Sequence, residues 1–527
     1  MIPTSKIQTY FNNKCVFITG GTGYLGGLLI EKLLRSCASI GKIYVLCRGN
    51  EKLSYQKRLE QLLNEPIFAN IKADNPEILK KLISINGNLD KTNLGIDVED
   101  WNLLINEVNC VFHVGSSIDF SMCLSSAIKT NLSGTIEITK LAKKIKNLES
   151  FIYVSSVYAH TNSGVITENL CESRVTGEDL LRLMEQVGMK NFNEFSSKFL
   201  ENSLNSYTYS KYLSEDYLRR NAQELPTAIL RPSILTSTLN EPFSGWGNIS
   251  QPYVQAVAGI AAGIIHILRT KSTNILDIIP PDFVVNQMIA IAWYIGTSQK
   301  STKNSISVYN CASSSENPLT WELLLNLVKK YILVFPLYKK IWHPFCFLST
   351  SVWIKNFFYL LQMPQMYFFD FVSFLLRKPR MFLNLYKNAH TSLYHTECFI
   401  KSSWIYSNRN TRQLWEKLED ADKKTFNFDI TSLKWESLVR NSVEGVRHYV
   451  LKEDPATIPK ASTISLIFKV LNYAVMLVPG FIVFYILQSK IYDALPSTLK
   501  CYHLIFTLTN YFHWVCERID NTILFCV

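Results

Sequence analysis

The feature that most limits what this chain can become is near its start. The β-branched run Val16-Phe-Ile-Thr stops at Gly20-Gly-Thr-Gly-Tyr-Leu-Gly-Gly, and Leu28 to Leu34 then carry helical apolar spacing. Gly20, Gly23 and Gly26 form a GxxGxxG turn. The first glycine permits a tight turn, the second lets backbone approach a pyrophosphate, and the third lets the helix pack on the sheet. The helix N-terminus adds free N–H groups and a positive dipole. Glycine spacing alone is a weak signal. With a strand before it and a helix after it, a dinucleotide site is expected, lined also by Thr22, Tyr24 and Leu25.

Further apolar runs at Lys42–Cys47, Cys110–Val114, Ser150–Val154 and Ala228–Arg231 alternate with helical stretches at Ile128–Lys146 and Tyr207–Asn221. That rhythm predicts an α/β fold, a doubly wound Rossmann parallel sheet. Arg48 ends the second run, where an Asp or Glu would favour NAD; its guanidinium offers a fork to a 2′-phosphate, so NADPH is the expected cofactor.

Tyr207 and Lys211 are spaced i, i+4 and share a face if helical. The ammonium is expected to lower the phenol's pKa, so that Tyr207 gives and recovers a proton near neutral pH. Ser155 and Ser156 end the run Phe151-Ile-Tyr-Val, where a hydroxyl can hydrogen-bond a developing alkoxide; Ser156 is favoured, with strand-end capping as the bland alternative. Tyr209 is read as packing, and His113 as a strand residue near the cofactor. No HExxH, Gly-x-Ser-x-Gly or GxxxxGK[ST] motif offers competing chemistry.

The chain has 527 residues and a net charge of +11, with 18% charged and 47% hydrophobic residues, which excludes a mainly disordered protein. There is no long basic block or zinc-finger spacing, so nucleic acid is not an expected partner. The cysteines lack CxxC pairs and the start Met1–Asn13 is polar, so reduced thiols facing cytosol are expected.

The expected organisation is a reductase-like domain over 1–320, an apolar, membrane-contacting segment over 321–390, a small helical C-terminal domain over 391–454 and a linker over 455–465. A transmembrane helix at Leu466–Leu487 follows, then a tail over 488–527 with a shorter apolar segment at Leu504–Val515. Within the third quarter, Tyr331–Leu376 is the candidate lining of an apolar passage. Its Trp342, Trp353, Phe357, Phe358 and Tyr359 suit a membrane interface, while Pro336, Pro344 and Pro364 argue against one straight span.

Phe17-Ile-Thr-Gly-Gly-Thr-Gly-Tyr-Leu-Gly26, Tyr44-Val-Leu-Cys-Arg48, Asn131-Leu-Ser-Gly-Thr135, Tyr207-Thr-Tyr-Ser-Lys211 and Arg231-Pro-Ser-Ile-Leu235 follow one another in a familiar order. So do Glu241-Pro-Phe-Ser-Gly-Trp246, Ile279-Pro-Pro-Asp-Phe-Val-Val-Asn286 and, far downstream, Asn427-Phe-Asp429 and Tyr449-Val-Leu-Lys-Glu-Asp454. Together they resemble the extended short-chain dehydrogenase/reductases, and more narrowly the alcohol-forming fatty acyl-CoA reductases, over nearly the whole chain.

The resemblance implies NADPH-dependent reduction of a long-chain acyl-CoA to a primary alcohol through a bound aldehyde. Tyr207 would donate the proton, Ser156 would hydrogen-bond the oxyanion, and Lys211 would support Tyr207 and bind ribose. Asn88 stands where the family usually has an Asp that accepts from the adenine amino group, and Gly115-Ser116 replaces a more usual pair of alanines. The alternatives are a membrane-anchored sterol or steroid dehydrogenase and a catalytically silent membrane scaffold. A membrane-bound enzyme with a cytosol-facing reductase domain is expected. The organelle stays open between endoplasmic reticulum and peroxisome, and a homo-oligomer stays open too.

Overall fold

The computed structural model describes residues 5–474 apart from positions 50, 52, 162–163, 201–202 and 299–305. Its centre is a seven-stranded parallel sheet built from β1 (Cys15–Thr19), β2 (Ile43–Cys47), β3 (Leu82–Asn86), β4 (Val108–His113), β5 (Ser150–Val154), β6 (Thr227–Pro232) and β7 (Ser307–Cys311). The strand order is β7-β6-β5-β4-β1-β2-β3, so the chain reverses direction across the sheet between β1 and β4. Ile18 pairs with Val45 on one side and with Phe112 on the other. Strands β2, β5 and β6 are buried along their whole length, as expected for near-continuous apolar runs covered on both faces. Crevices at such reversal points, outside the carboxyl ends of the strands, are where ligands bind in this architecture.

Two helices bring chemistry to that crevice. Helix α1 (Tyr24–Ser36) starts at Gly23 with no side-chain cap, which leaves its first N–H groups directed at the crevice. Helix α2 (Ser206–Asn221) is started firmly: Thr208 N–H donates to Asn205 Oδ1 at 3.0 Å, and Asn205 N–H to Thr208 Oγ1 at 3.1 Å. This reciprocal cap puts Tyr207 in the first turn and Lys211 one turn later.

Further along the chain come the helices α3 (Pro252–Ala261), α4 (Trp321–Val334), α5 (Val352–Leu375), α6 (Phe382–Lys401) and α7 (Trp435–Gly445). The C-terminal portion does not stand apart. Leu414, Phe426, Trp435 and Val443 belong to the same apolar core as Val16, Leu28 and Met288. Ile405–Tyr406 pairs in parallel with Val165–Ile166, and Ile7 N–H donates to Asp422 Oδ1 at 3.2 Å.

Several expected boundaries are therefore corrected. The division at 390/391 falls inside α6, whose Leu393 and Phe399 face inward while Tyr394 is exposed; the change in composition marks an amphipathic helix. The expected linker 455–465 is a 3-10 turn at Pro455–Thr457 continued by a helix over 458–474, because prolines at or before a first turn leave helical hydrogen bonding intact. Pro364 lies within α5 and does not end it. Among the described residues no helix is long and apolar enough to cross a membrane. Most of Leu466–Leu487 and all of 488–527 lie outside the described residues. The nine described cysteines are free thiols.

The C-terminal portion docks through a backbone contact that leaves no room for a side chain. A Cβ on Gly445 would fall 1.7 Å from the carbonyl oxygen of Gly245. Gly445→Ala should therefore destabilise the fold by about 2 kcal/mol, as overpacking does. An unchanged chemical-denaturation midpoint would contradict this docking.

Candidate active site

A cavity of about 710 Å³ opens at the carboxyl ends of the strands. Gly20, Thr22, Gly23, Tyr24, Leu25, Gly26, Arg48, Asn88, Ser156, Tyr207 and Lys211 all line it, so the structure brings the sequence-derived residues into one place. The nucleotide end is cut to fit backbone. Gly20 has φ +72°, and a Cβ there would meet Gly115 N at 2.5 Å; a Cβ on Gly26 would lie 2.2 Å from Gly20 O. Tyr24 pins the turn from behind, its hydroxyl donating to Thr236 O at 2.7 Å while its ring stacks on Trp246.

Arg48 is exposed at the end of β2, and Arg58 reaches the same wall from the helix Tyr55–Leu63. Arg58 Nε is buried without a hydrogen-bond partner among the described residues. Asn88 spends its amide oxygen on its own loop, accepting from Asp90 N–H at 3.1 Å. Asp90 Oδ1, on the same cavity wall, is buried and unpartnered among the described residues. Free backbone N–H groups at a helix start, an unpartnered guanidinium Nε and an unpartnered carboxylate oxygen are a donor and acceptor set that fits an adenine dinucleotide.

Beyond the nucleotide end the lining turns apolar. It is contributed by Tyr253 and Val257 of α3, Trp321, Leu324 and Val328 of α4, and Leu393 and Phe399 of α6. No residue of Tyr331–Leu376 lines this cavity, but Lys355, Asn356 and Tyr359 of α5 line a second one of about 400 Å³ that shares Leu268, Leu393 and Ile400 with it, while α5 turns Phe357, Leu360 and Phe368 outward.

Tyr207 lines the cavity shared by both ends, its ring edge-on to Phe120 at 5.4 Å, and the Phe120 ring lies 5.2 Å from that of Phe399 of α6. Burial pushes its phenol up to about 12, against a hydrogen bond with the Ser156 hydroxyl that favours ionisation. Ser156 Oγ also accepts from Tyr158 N–H at 3.3 Å, so this residue caps the turn after β5 and faces the phenol at once. Ser155 Oγ is buried and unpartnered among the described residues.

Lys211 is 2% exposed, donates from Nζ to Val154 O at 2.7 Å, and lies 4.9 Å over the Tyr153 ring. Burial brings its pKa down to about 7, and Glu215 one turn along α2 pulls the other way. Burial would raise Glu215, but Arg231 and His160 hold it well below the carboxylate range. Arg231 Nε lies 3.0 Å from Glu215 Oε1 and His160 Nε2 lies 2.8 Å from Oε2.

The expectation that Lys211 lowers the phenol's pKa is corrected here. Its ammonium is committed to the Val154 carbonyl, and burial dominates both groups. What results is a protonated phenol beside a hydroxyl, two donors for a carbonyl oxygen that gains charge. Tyr209 is fully buried packing. His113 ends β4 with Nδ1 2.6 Å from Thr19 Oγ1; burial drives its pKa down to about 3, and no group of metal-ligating residues occurs among those described.

A family model described as a male sterility protein, its NAD-binding part, matches residues 18–288, and a second with the same description matches residues 361–453. The Drosophila melanogaster protein "Fatty acyl-CoA reductase wat" is 33% identical over 476 residues, covering 90% of this chain and 91% of its own. Human "Fatty acyl-CoA reductase 1" is 31% identical over 459 residues, covering 86% and 88%. The chain belongs to the fatty acyl-CoA reductase family. Among solved structures, the terminal R domain of the myxalamid PKS-NRPS pathway aligns with a TM-score of 0.57 at 16% identity, over 84% of this chain and 92% of that one. The reductase domain of a Mycobacterium tuberculosis nonribosomal peptide synthetase aligns with the same TM-score and identity, over 86% and 97%. These two establish the shared fold.

Sequence reasoning about this reductase did not single out Arg58, Asp90 or the apolar lining from α3, α4 and α6. Nothing in the primary structure separates Arg58 from Lys57 beside it; only the turn of the helix against β2 does.

Tyr207→Phe should lower turnover at least about a hundredfold while the protein stays folded; near-normal turnover would remove the proton donor. Because the free-enzyme ammonium of Lys211 titrates at about 7, kcat/KM should fall as pH rises through that value, with Tyr207 adding no limb below about 12. A profile flat to pH 9 would contradict the need for a charged Lys211.

Proposed function

We propose that this cavity reduces a long-chain fatty acyl-CoA to the primary alcohol and CoA, with NADPH as the cofactor. The observation that carries the reading is that Tyr207 and Ser156 line one cavity with both a dinucleotide cradle and an apolar wall. NADPH, when bound, supplies hydride. The glycine turn and the start of α1 hold its pyrophosphate, and Arg48 and Arg58 clamp the 2′-phosphate. Asp90, with its unpartnered oxygen, takes over from Asn88 as acceptor for the adenine amino group.

The chain's own groups then manage oxygen and proton. Ser156 and Tyr207 hydrogen-bond the thioester carbonyl oxygen, and Tyr207 gives its proton as that oxygen becomes an alkoxide. Lys211, held on the Val154 carbonyl, would bind the ribose of the cofactor. When the carbonyl re-forms, the proton returns from its oxygen to Tyr207, the carbon–sulfur bond breaks and CoA leaves as thiolate. The aldehyde keeps its alkyl chain among Val257, Leu324 and Phe399, where each buried CH₂ contributes about 0.8 kcal/mol. With a second NADPH exchanged for the spent cofactor as the hydride source, the same two donors would serve its reduction to the alcohol, Tyr207 giving its proton to the alkoxide. The enzyme works at a membrane, with Leu466–Leu487 as its anchor and the reductase portion facing cytosol.

Purified enzyme given NADPH and a panel of acyl-CoAs should yield primary alcohols, read by product chromatography; oxidation or reduction of sterols alone would overturn the reading. Arg48→Ala and Arg58→Ala should each raise KM for NADPH by more than about tenfold while changing KM for NADH little, since only NADPH carries the clamped phosphate. Equal losses for both cofactors would defeat that assignment.

A further inference from the structure

Helices α5 and α6 form a hairpin whose outer surface is unlike the rest of the molecule. Trp353 is 85% exposed, and Leu360, Phe368, Phe371, Leu375 and Leu376 are each more than half exposed. An apolar surface of that extent on a water-facing helix marks an interaction site. The turn joining the helices carries Arg377, Lys378 and Arg380, all exposed, and the Arg380 guanidinium lies 5.0 Å over the Phe374 ring.

Acidic groups are withheld from this surface. The hairpin contains two, Asp370 and Glu397. Asp370 turns in to start α6, its oxygens accepting from Phe382 N–H at 2.9 Å and Leu383 N–H at 3.1 Å. Glu397 is held between Arg269 and Lys355, at 2.6 Å from each. What is left outside is aromatic and aliphatic surface ending in uncompensated positive charge.

We infer that the α5–α6 hairpin docks on a bilayer that contains anionic phospholipid, with its tip entering the headgroup layer. The charge pattern selects this occupant over a second copy of the chain. In a two-fold pair the basic tips would need free carboxylates on the facing hairpin, and both of its carboxylates are spent. Apolar side chains with lysine and arginine at their edge match an interfacial helix, and each basic residue near an anionic surface strengthens attachment about fivefold.

A second apolar helix is bridged to α5 by Trp342, whose ring lies 6.4 Å from that of Phe369. The helix over 458–474 meets Trp342, whose indole N–H donates to Asn472 Oδ1 at 2.9 Å and whose ring lies 5.7 Å from Phe468. That helix also exposes Leu466 and Val470. The inner face of α6 lines the cavity with Leu393, Phe399 and Ile400. The hairpin itself therefore lies between the bilayer surface on α5 and the chamber lined by α6, and a long-chain substrate or product has a short route between them. This consequence rests on the acyl-CoA reading; the docking itself does not.

The test uses the full chain with one environment-sensitive fluorescent amino acid at position 376, so that the hairpin is read separately from any anchor beyond 474. Vesicles of phosphatidylcholine, with or without phosphatidylserine, are prepared with plain or brominated acyl chains. The expected result is a blue shift and bromine quenching that grow with phosphatidylserine and are lost in the triple variant R377E/K378E/R380E. Emission that stays water-like with every vesicle overturns the proposal. So does equal quenching with and without phosphatidylserine, or a shift that follows protein concentration in the absence of lipid, which would identify a second copy as the occupant. No substrate is present, so failure here leaves acyl-CoA reduction standing, and failure of the reductase assay leaves docking standing.

Discussion

An ammonium group held almost wholly out of water sets the terms for the rest of the site. Lys211 is 2% exposed, and a buried cation of this kind is costly unless opposite charge and acceptors stand close by. The Val154 carbonyl supplies the acceptor at 2.7 Å, and Glu215 supplies the charge from the same helix. Glu215 in turn is fixed by Arg231 from β6 and by His160 from the segment after β5. Two neighbouring strand ends and α2 are thereby locked to one another beneath the cavity. Breaking such a network by removing one partner costs roughly 3–5 kcal/mol, because a charge is left buried without compensation. Ser156 and Tyr207, carried on the same strand end and helix, inherit that rigidity, which oxyanion stabilisation requires.

The cavity is a joint product of the whole described chain. Its nucleotide end belongs to the first half of the sheet, whereas its apolar end is closed by α4 and α6. A contact runs from Tyr207 through Phe120 to Phe399, so the proton donor touches an aromatic wall that ends on the C-terminal portion. The C-terminal portion of this chain is therefore not a loosely attached addition. It shares the core with Val16 and Leu28 and meets the 238–246 loop at the Gly245–Gly445 contact.

The β1–turn–α1 unit was legible in the sequence because the apolar period switches from two to 3.6 across a glycine turn, which is a local property. Tyr207 and Lys211 were legible because a helix converts their spacing into one face. The division at 390 was misplaced because α6 is continuous through a change in composition, and its inward residues lie among polar ones. Apolar and aromatic content points to Tyr331–Leu376 as the acyl lining, yet only Lys355, Asn356 and Tyr359 of that segment reach the adjoining cavity, while residues 321–328 and 393–400 converge on the main one from positions that only tertiary packing reveals. The same holds for the charges. Spacing alone suggested that the lysine would ionise the tyrosine, whereas burial, invisible in a one-dimensional reading, moves Lys211 down to about 7 and Tyr207 up to about 12.

The central claim is that one site performs both reductions on a chain it does not release between them. The most direct measurement is mass spectrometry of the product formed from acyl-CoA and NADPH deuterated at the transferable position, with an aldehyde-trapping hydrazine in the medium. The expected result is an alcohol carrying two deuterium atoms on its first carbon, one CoA released per alcohol, and no trapped aldehyde. Accumulation of singly deuterated, trapped aldehyde, or alcohol with fewer than two deuterium atoms, would contradict it.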